Sequence, residues 1–273
     1  MNSAASQDSS PVIRAVERAL PKHYATQDQI VGALRDLWAT RHYNIGRLEE
    51  LHRSVQVAGR HLALPVEQYV GLTTFQQRND AWIKVALELS EQVVDGALRR
   101  TGLTPKDVDH VFFATVTGLC TPSIDARLMN RMGMRSNMKR TPIFGLGCVA
   151  GAAGTARAAD YLRAYPNHTA LLVAVELCSL TLQREDLSIP NIIASGLFGD
   201  GAACVVLQGG AVAPAASGPR VVATRSVLYP DTERIMGWDV VDTGFKVVLS
   251  AKDRKSTRLN SSHSGESRMP SSA

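Results

Sequence analysis

The chain has 273 residues, 45% of them hydrophobic and 20% charged, a composition that allows a large core in one or two domains. Its net charge of +5 is uneven, because residues 252–273 carry five basic and two acidic side chains (5 − 2 = +3), which leaves +2 for the rest. The basic residues of that larger part are interspersed with acids and show no interleaved aromatics, which argues against nucleic-acid binding.

Four cysteines stand at positions 120, 148, 178 and 204. They form no CxxC pair and follow no secretory hydrophobic segment, so we expect neither a metal site nor a disulfide framework. No apolar run reaches membrane-spanning length. These features favour a reducing, cytoplasmic location.

The first hundred residues predict a leader and three helices. Residues 1–10 are Ser-rich and polar and predict a disordered leader. Residues 26–29 have the form of a capping box and open an amphipathic helix, a second short helix is expected over 48–57, and a long one over 80–100 ends at Gly102. Arg53 and Arg60 are interpreted as solvated surface arginines, with a role in holding a phosphate-bearing ligand as the alternative.

The middle of the chain alternates strands and helices. A short helix is expected to start at residues 104–105. A mostly apolar strand is expected over 110–116 and a helix over 124–134. The loop between them, 117–122, follows the end of a strand, where open α/β sheets place their ligands. Cys120 in this loop is interpreted as a packing residue.

Residues 141–154 form the stretch with the clearest chemical signal. Residues 143–146 predict a buried strand, a glycine turn follows, and the small residues of 149–162 predict a buried helix. Cys148 lies at this junction, where the unpaired N–H groups and the helix dipole favour a thiolate and the same N–H groups can hold an oxyanion. On this stretch alone, a nucleophile and a buried core cysteine both remain open.

The rest of the chain predicts further strands. We expect an apolar strand over 169–176 followed by Cys178, a helix over 189–195, a Gly-Asp-Gly turn within 196–202 that presents Phe198, and a strand over 203–207. A Gly/Ala/Pro linker over 209–219 precedes two strands, 221–227 and 245–249. The alternation of strands and helices predicts an α/β layered fold.

The last residues differ from all others. From about residue 252 the apolar periodicity stops, and residues 255–273 contain seven serines. The segment resembles a translated sequencing-adapter read-through, so residues 252–273 are predicted to be a non-native, disordered tail. His263 lies inside it and is not a candidate catalytic base.

Taken together, the motifs resemble type III polyketide synthases of the chalcone and stilbene synthase family, of the bacterial alkylpyrone type, over about residues 12–251. The segment GLGCVAGAAG is similar to the family's nucleophile segment and places the catalytic cysteine on Cys148. The segment GLFGDGAA places a gating aromatic on Phe198. Met236-Gly237 and Thr243-Gly244-Phe245 are similar to the segment with a pocket glycine, Gly237, and a second gate, Phe245.

The resemblance also implies sites outside these segments. The loop 117–122 resembles the one that shapes the cyclisation cavity and reaches into the partner subunit's site, which makes Thr117 and Thr121 cavity candidates. Arg53 matches one of the family's basic residues at the CoA entrance, whereas Glu50 and Val57 do not match the others. The family's nucleophile works with a histidine and an asparagine from the second half of the fold, and nothing in the chain matches either segment.

The resemblance implies a fold and an activity. The fold is a thiolase-like α-β-α-β-α arrangement, with residues 11–210 as the N-terminal half that carries the nucleophile and 211–251 as the start of a C-terminal half that is truncated. The activity is the decarboxylative condensation of a starter acyl-CoA with malonyl-CoA through a Cys148 thioester, followed by cyclisation to a pyrone or a phenolic ring. CoA thioesters are the substrates, no cofactor is expected, and the full-length protein is expected to be a cytoplasmic homodimer.

Two alternatives stay open. A ketoacyl-ACP synthase III shares the fold and an LFGDGA-like segment, although the GLCTPSID loop and the GCVAGAAG form favour the polyketide interpretation. The other alternative is that residues 1–273 alone are an incomplete half-fold, insoluble and without condensing activity, because a large apolar face would be exposed. Thr121 and Ala194, which are small, hint at a long aliphatic starter.

Overall fold

The computed structural model describes residues 10–38, 45–213 and 218–250. These residues contain six α-helices: α1 (Gln27–Trp38), α2 (Ile45–Ser54), α3 (Phe75–Thr101), α4 (Ile124–Met132), α5 (Ala150–Ala164) and α6 (Ile189–Leu197). Nine strands accompany them: β1 (Val12–Ala19), β2 (His23–Thr26), β3 (Gly59–Leu62), β4 (His110–Thr115), β5 (Lys139–Phe144), β6 (Thr169–Leu177), β7 (Asp200–Gln208), β8 (Met236–Val241) and β9 (Gly244–Leu249). The predicted tail and nearly all of the predicted leader lie outside the described residues.

A mixed five-stranded sheet forms the centre of the molecule. Its strand order is β1-β7-β6-β4-β5, with β4 parallel to both β5 and β6 and with β7 antiparallel to both β1 and β6. Every residue of β4 is buried, as the apolar run over 110–116 predicts for a strand covered on both faces. The α/β layered class is therefore confirmed, and all five strands fall within residues 11–210.

Alternate residues of the central strands pack against helices on opposite faces. Phe113 joins the core beneath α3, whereas its neighbour Phe112 joins the core beneath α5. Helix α3 carries its apolar side inward, ends at Gly102 with φ 70°, and begins before the predicted start, where Thr74 and Gln77 form a capping box. No helix in the described residues combines the length and the apolar composition that crossing a membrane requires.

Helices α1 and α2 form a smaller core beside the sheet. The capping box predicted for 26–29 is present, because the Gln29 side chain accepts from the Thr26 N–H at 2.9 Å and the Thr26 hydroxyl accepts from the Gln29 N–H at 3.2 Å. Buried side chains of α1 and α2 pack with the antiparallel pair of β2 and β3 and with α6: Ile30, Leu34, Trp38, Leu48, Leu62 and Ile192. The helix predicted over 48–57 begins and ends about three residues earlier.

The strand and helix around Cys148 are more exposed than the sequence predicts. Strand β5 is an edge strand with Phe144 52% exposed, so the expectation of a buried strand over 143–146 is wrong. Helix α5 buries only one stripe of small residues, and Gly154 lets it approach the sheet because a Cβ there would lie 2.5 Å from Leu172. The small residues permit close packing on one face and do not show that the whole helix is buried.

Two further predictions of local structure fail. Residues 221–227 form no strand, and Val222 and Val227 are 72% and 74% exposed. The nearby backbone pairing includes an isolated bridge between Val12 and Arg220 and hydrogen bonds from the Val221 N–H to the Pro11 carbonyl and from the Ile13 N–H to the Pro219 carbonyl. The Gly-Asp-Gly segment is not a turn, since Asp200 and Gly201 already pair with β6 as the first residues of β7. The strand expected over 245–249 is confirmed as β9, paired with β8.

Candidate active site

Cys148 lies at the predicted junction, in a 3-10 turn (Gly147–Val149) that runs directly into α5. Gly145 and Gly147 have φ values of 93° and 56°, and a Cβ at either position would meet no atom within 4 Å. The turn therefore requires glycine for its backbone conformation rather than for space. Cys148 is exposed at the start of a 15-residue helix, where unpaired amides and the helix dipole favour negative charge.

A second cysteine lies near Cys148 in a different environment. Burial above all, and then the nearby Asp200, Glu176 and Cys148, raise the pKa of the Cys178 thiol well above its ordinary value. Cys178 follows the end of β6 and lines the neighbouring cavity. Because only the thiolate is a strong nucleophile, Cys178 is suited to shape the site and poorly suited to attack a thioester.

The two predicted gates belong to one row of aromatic rings. The Phe198 ring lies 6.4 Å from Trp238, Trp238 lies 6.5 Å from Phe245, and Phe245 lies 6.3 Å from Phe144 on the segment that leads to Cys148. Phe245 is 2% exposed and packs edge-on against Phe75. The row runs from the end of α6 to β5, so it connects both predicted gates with the strand that leads to the Cys148 turn.

A cavity of about 120 Å³ lies on the α6 side of this row. Its walls are largely apolar and come from α1, from the 3-10 turns after β3 and β6, from α6 and from the β8–β9 hairpin. The side chains that give these walls their chemical character are Arg60, Cys178, Ser179, Ala194, Ser195, Phe198 and Trp238.

The other predicted site residues have different positions. Gly237 pairs with Val248 in the hairpin, and a Cβ there would meet no atom within 4 Å. Thr117 is buried, and Thr121 is exposed. Neither threonine is among the residues that line the cavity in the described part of the chain, whereas Ala194 is. Arg53 is 76% exposed on α2, with Glu49 at 3.9 Å.

Glu176 is a site residue that the sequence did not reveal. Its carboxylate accepts from the Thr117 hydroxyl at 2.7 Å and from the Val116 N–H at 3.1 Å. Burial raises the pKa of Glu176 to about 7, against the effect of these hydrogen bonds. Neither Thr117 nor Glu176 lines the cavity in the described part of the chain, but Glu176 is close enough for its charge to act on Cys178, which does. A polar residue at the end of a predicted strand was the available signal, since parallel strands carry their ligands at that edge.

Arg60 does not lie where the sequence predicts. The sequence predicts a solvated surface arginine, yet Arg60 is buried and only 6% exposed. Its guanidinium donates to the carbonyls of Ser195 at 2.7 Å and Phe198 at 2.9 Å, and to the Gln27 side chain at 2.6 Å. Long-range contacts to α6 hold it inside, and no local sequence pattern encodes them.

Comparisons with known proteins bear on the family of the chain. The family model of chalcone and stilbene synthases, N-terminal domain, matches residues 2–211. The chain is 49% identical over 245 residues to a 1,3,6,8-tetrahydroxynaphthalene synthase of Streptomyces peucetius subsp. caesius, covering 89% of this chain and 65% of that protein. It is 37% identical over 247 residues to a putative chalcone synthase of Bacillus subtilis, covering 87% of this chain and 68% of that protein. The chain thus spans about two thirds of the length of these relatives.

A solved structure gives the same result for the fold. The tetrahydroxynaphthalene synthase of Streptomyces coelicolor A3(2), a bacterial type III polyketide synthase, superposes with a TM-score of 0.81 at 32% identity, covering 88% of this chain and 68% of that chain. The thiolase-like class expected from the sequence is therefore confirmed, and the matching family favours the polyketide interpretation over a ketoacyl-ACP synthase III. The chain belongs to the chalcone and stilbene synthase family, the type III polyketide synthases.

Proposed function

We propose that this chain supplies the nucleophile and part of the cavity of a type III polyketide synthase that condenses a starter acyl-CoA with malonyl-CoA. One observation carries the proposal: Cys148 is exposed on a glycine turn at the start of α5, near Cys178, which lines a largely apolar cavity. Covalent acyl transfer needs an accessible sulfur, donors for the oxyanion and a region from which water is excluded.

The proposed reaction uses Cys148 twice in each extension. The Cys148 thiolate attacks the thioester carbonyl of the starter, and the CoA thiolate leaves, so the acyl group is bound to the protein. Malonyl-CoA loses carbon dioxide to give an enolate of acetyl-CoA. The enolate carbon attacks the acyl carbonyl, a carbon–carbon bond forms, and the Cys148 thiolate is released. The elongated chain, now a CoA thioester, returns to Cys148 for the next extension.

We infer that the product is a phenolic ring rather than a pyrone. Two of the three relatives described above are tetrahydroxynaphthalene synthases, and one of them is 49% identical to this chain. The cavity agrees with a growing polyketide, because its walls combine apolar surface with the hydroxyls of Ser179 and Ser195. A pyrone remains the alternative outcome of the product assay.

A contact with CoA and a homodimer are two further parts of the proposal. Arg53 is exposed on α2 and is available to contact a phosphate of CoA. A homodimer, in which the loop 117–122 approaches the partner's site, agrees with the exposure of Thr121 and Leu119 on that loop. Neither proposal is needed for acyl transfer at Cys148.

The test is an assay of the full-length protein with acyl-CoA starters and malonyl-CoA, without acyl carrier protein. We expect malonyl-CoA to be consumed and a polyhydroxylated aromatic product to appear in the mass spectrum. Cys148→Ala abolishes product, whereas Cys204→Ala, a change in a buried core cysteine, retains it. A strict requirement for acyl carrier protein, or product formation by Cys148→Ala, would contradict the proposal.

A further inference from the structure

Arg60, on β3, donates almost all of its hydrogen bonds to the end of one helix. Its Nη1 donates to the Ser195 and Phe198 carbonyls at 2.7 and 2.9 Å, and its Nη2 donates to the Gly196 carbonyl. The last carbonyls of a helix have no intrahelical donors and carry the negative end of the dipole. A buried guanidinium therefore caps the C-terminal end of α6, and it does so at the residues that bear the predicted gate Phe198.

The charge of Arg60 is balanced inside the protein. Burial lowers the pKa of Arg60, and the nearby Asp200 raises it. Asp200 is itself buried, and its carboxylate accepts from the Ala63 N–H at 2.7 Å and the Ser179 N–H at 2.8 Å. Burial raises the pKa of Asp200 to about 6, against the effect of these bonds and of Arg60. The cation thus lies between a carboxylate and a helix terminus, which favours one fixed position for its planar group.

Arg60 also fixes the orientation of two further side chains. A guanidinium only donates, so the Gln27 oxygen faces Arg60, at 2.6 Å, and the Gln27 amide nitrogen faces His52 Nδ1, at 3.4 Å. That nitrogen also donates to the His52 carbonyl at 3.0 Å. Because the amide nitrogen cannot accept, His52 Nδ1 accepts, and the ring proton lies on Nε2. Burial, with the charge of Arg60, lowers the pKa of His52 to about 4, which keeps the ring neutral.

This tautomer determines what Ser195 can do. His52 Nε2 lies 3.3 Å from the Ser195 hydroxyl, which itself donates to the Ile192 carbonyl at 2.8 Å. His52 therefore donates to Ser195 and cannot act as its base, so Ser195 is not a second nucleophile despite its position in the cavity wall. Ser195 instead presents a lone pair to the cavity from a fixed hydroxyl.

From these contacts we propose that Arg60 is a positioning residue that sets product distribution by holding Ser195 and Phe198 in the cavity wall. Arg60 itself lines the cavity, and it is bonded to three carbonyls of α6 directly and, through Gln27 and His52, to the Ser195 hydroxyl. The proposal rests on the proposed function, since it concerns the shape of the cavity in which the polyketide extends and cyclises.

The experiment compares Arg60→Lys and Arg60→Met with Arg99→Met in the full-length protein. Arg99 is a matched control, an exposed arginine on α3 that forms an ion pair with Asp95 one turn away. Lysine keeps the charge but cannot reach all the acceptors of a guanidinium. For both Arg60 variants we expect starter loading on Cys148 within about 3-fold of wild type, and a ratio of cyclised to derailed products changed at least about 10-fold, as small displacements of positioning groups produce.

A second measurement reports directly on the part of the cavity wall that contains Ser195 and Phe198. Amide hydrogen exchange over residues 195–199 should be about 10-fold faster in both Arg60 variants, with exchange in β4 unchanged. Unchanged product ratios in variants that load normally would overturn the inference and leave the proposed function intact, whereas failure of the wild type to load would overturn the proposed function. If neither Arg60 variant folds, Gln27→Leu breaks the connection to Ser195 and should shift the same ratio; an unchanged ratio would overturn the inference.

Discussion

The two cysteines near the cavity show how one site combines opposite environments. Cys148 lies on an exposed turn whose backbone is set by two glycines with positive φ, whereas Cys178 is held at the end of a central strand among Asp200, Glu176 and the sheet core. The first environment gives access and helix-terminus electrostatics, and the second keeps a thiol protonated. The comparison indicates that the exposure of Cys148 comes from a local backbone conformation, whereas the surroundings of Cys178 come from a buried polar network assembled over long sequence distances.

Removing Asp200 from the buried polar network near Cys178 has the largest expected effect on stability. Asp200→Ala removes the acceptor for the Ala63 and Ser179 amides and the charge that faces Arg60. We expect the free energy of unfolding of the full-length protein to fall by about 3–5 kcal/mol, as when one partner of a buried pair is removed. Denaturant titration measures it. Asp200→Asn, which removes the charge but keeps one acceptor oxygen, should lose less, and equal losses would contradict the role of the accepted hydrogen bonds.

The two faces of α5 offer a matched pair of smaller changes. Gly154→Ala places a Cβ 2.5 Å from Leu172, which has the sheet behind it, so the free energy of unfolding should fall by about 2–3 kcal/mol. Gly151→Ala meets no atom within 4 Å and should raise it by up to about 1 kcal/mol through helix propensity. Changes of the same sign in the two variants would show that the packing of α5 on the sheet is wrongly described.

The buried Glu176, near Cys178, makes the stability of the protein depend on pH. Its native pKa of about 7 lies above the value of 4.5 for an unperturbed carboxyl, so the native state holds a proton that the unfolded state has lost between these pH values. Its contribution to stability is therefore present at low pH and is lost as pH rises through about 7. Between pH 5 and 8, wild type should lose no more than about 2 kcal/mol relative to Glu176→Gln. Parallel stability curves for the two proteins would contradict the raised pKa.

A substitution at Gly147 tests whether the glycine turn positions the exposed Cys148. Gly147 has φ 56°, so Gly147→Ala should cost only about 1 kcal/mol of stability, since no side chain obstructs the new methyl group. Starter loading on Cys148 should fall by more than this loss explains, because the turn that aims the sulfur is displaced. Single-turnover acylation measures the effect, and loading equal to wild type would mean that the glycine conformation does not position Cys148.

The sequence predicts best what is local or periodic. The long helix ending at Gly102, the apolar strand β4 and the turn at Cys148 follow from periodicity, caps and glycine placement, and all three are present. It fails where tertiary contacts decide. Arg60 is buried because α6 folds back over β3, and β5 is exposed because it lies at the sheet edge, and neither fact is written in the neighbouring residues. The resemblance to the family predicts Phe198 and Phe245 as gates, whereas the structure alone shows the row of aromatic rings that joins them.

The central claim is that Cys148, and not the nearby Cys178, carries the acyl group. Peptide mapping by mass spectrometry after the full-length protein is incubated with an isotopically labelled acyl-CoA tests it most directly. The account predicts an acyl mass shift on the peptide that contains Cys148 and none on the peptide that contains Cys178. Label on Cys178, or a Cys148 peptide that stays unmodified while product forms, would contradict it.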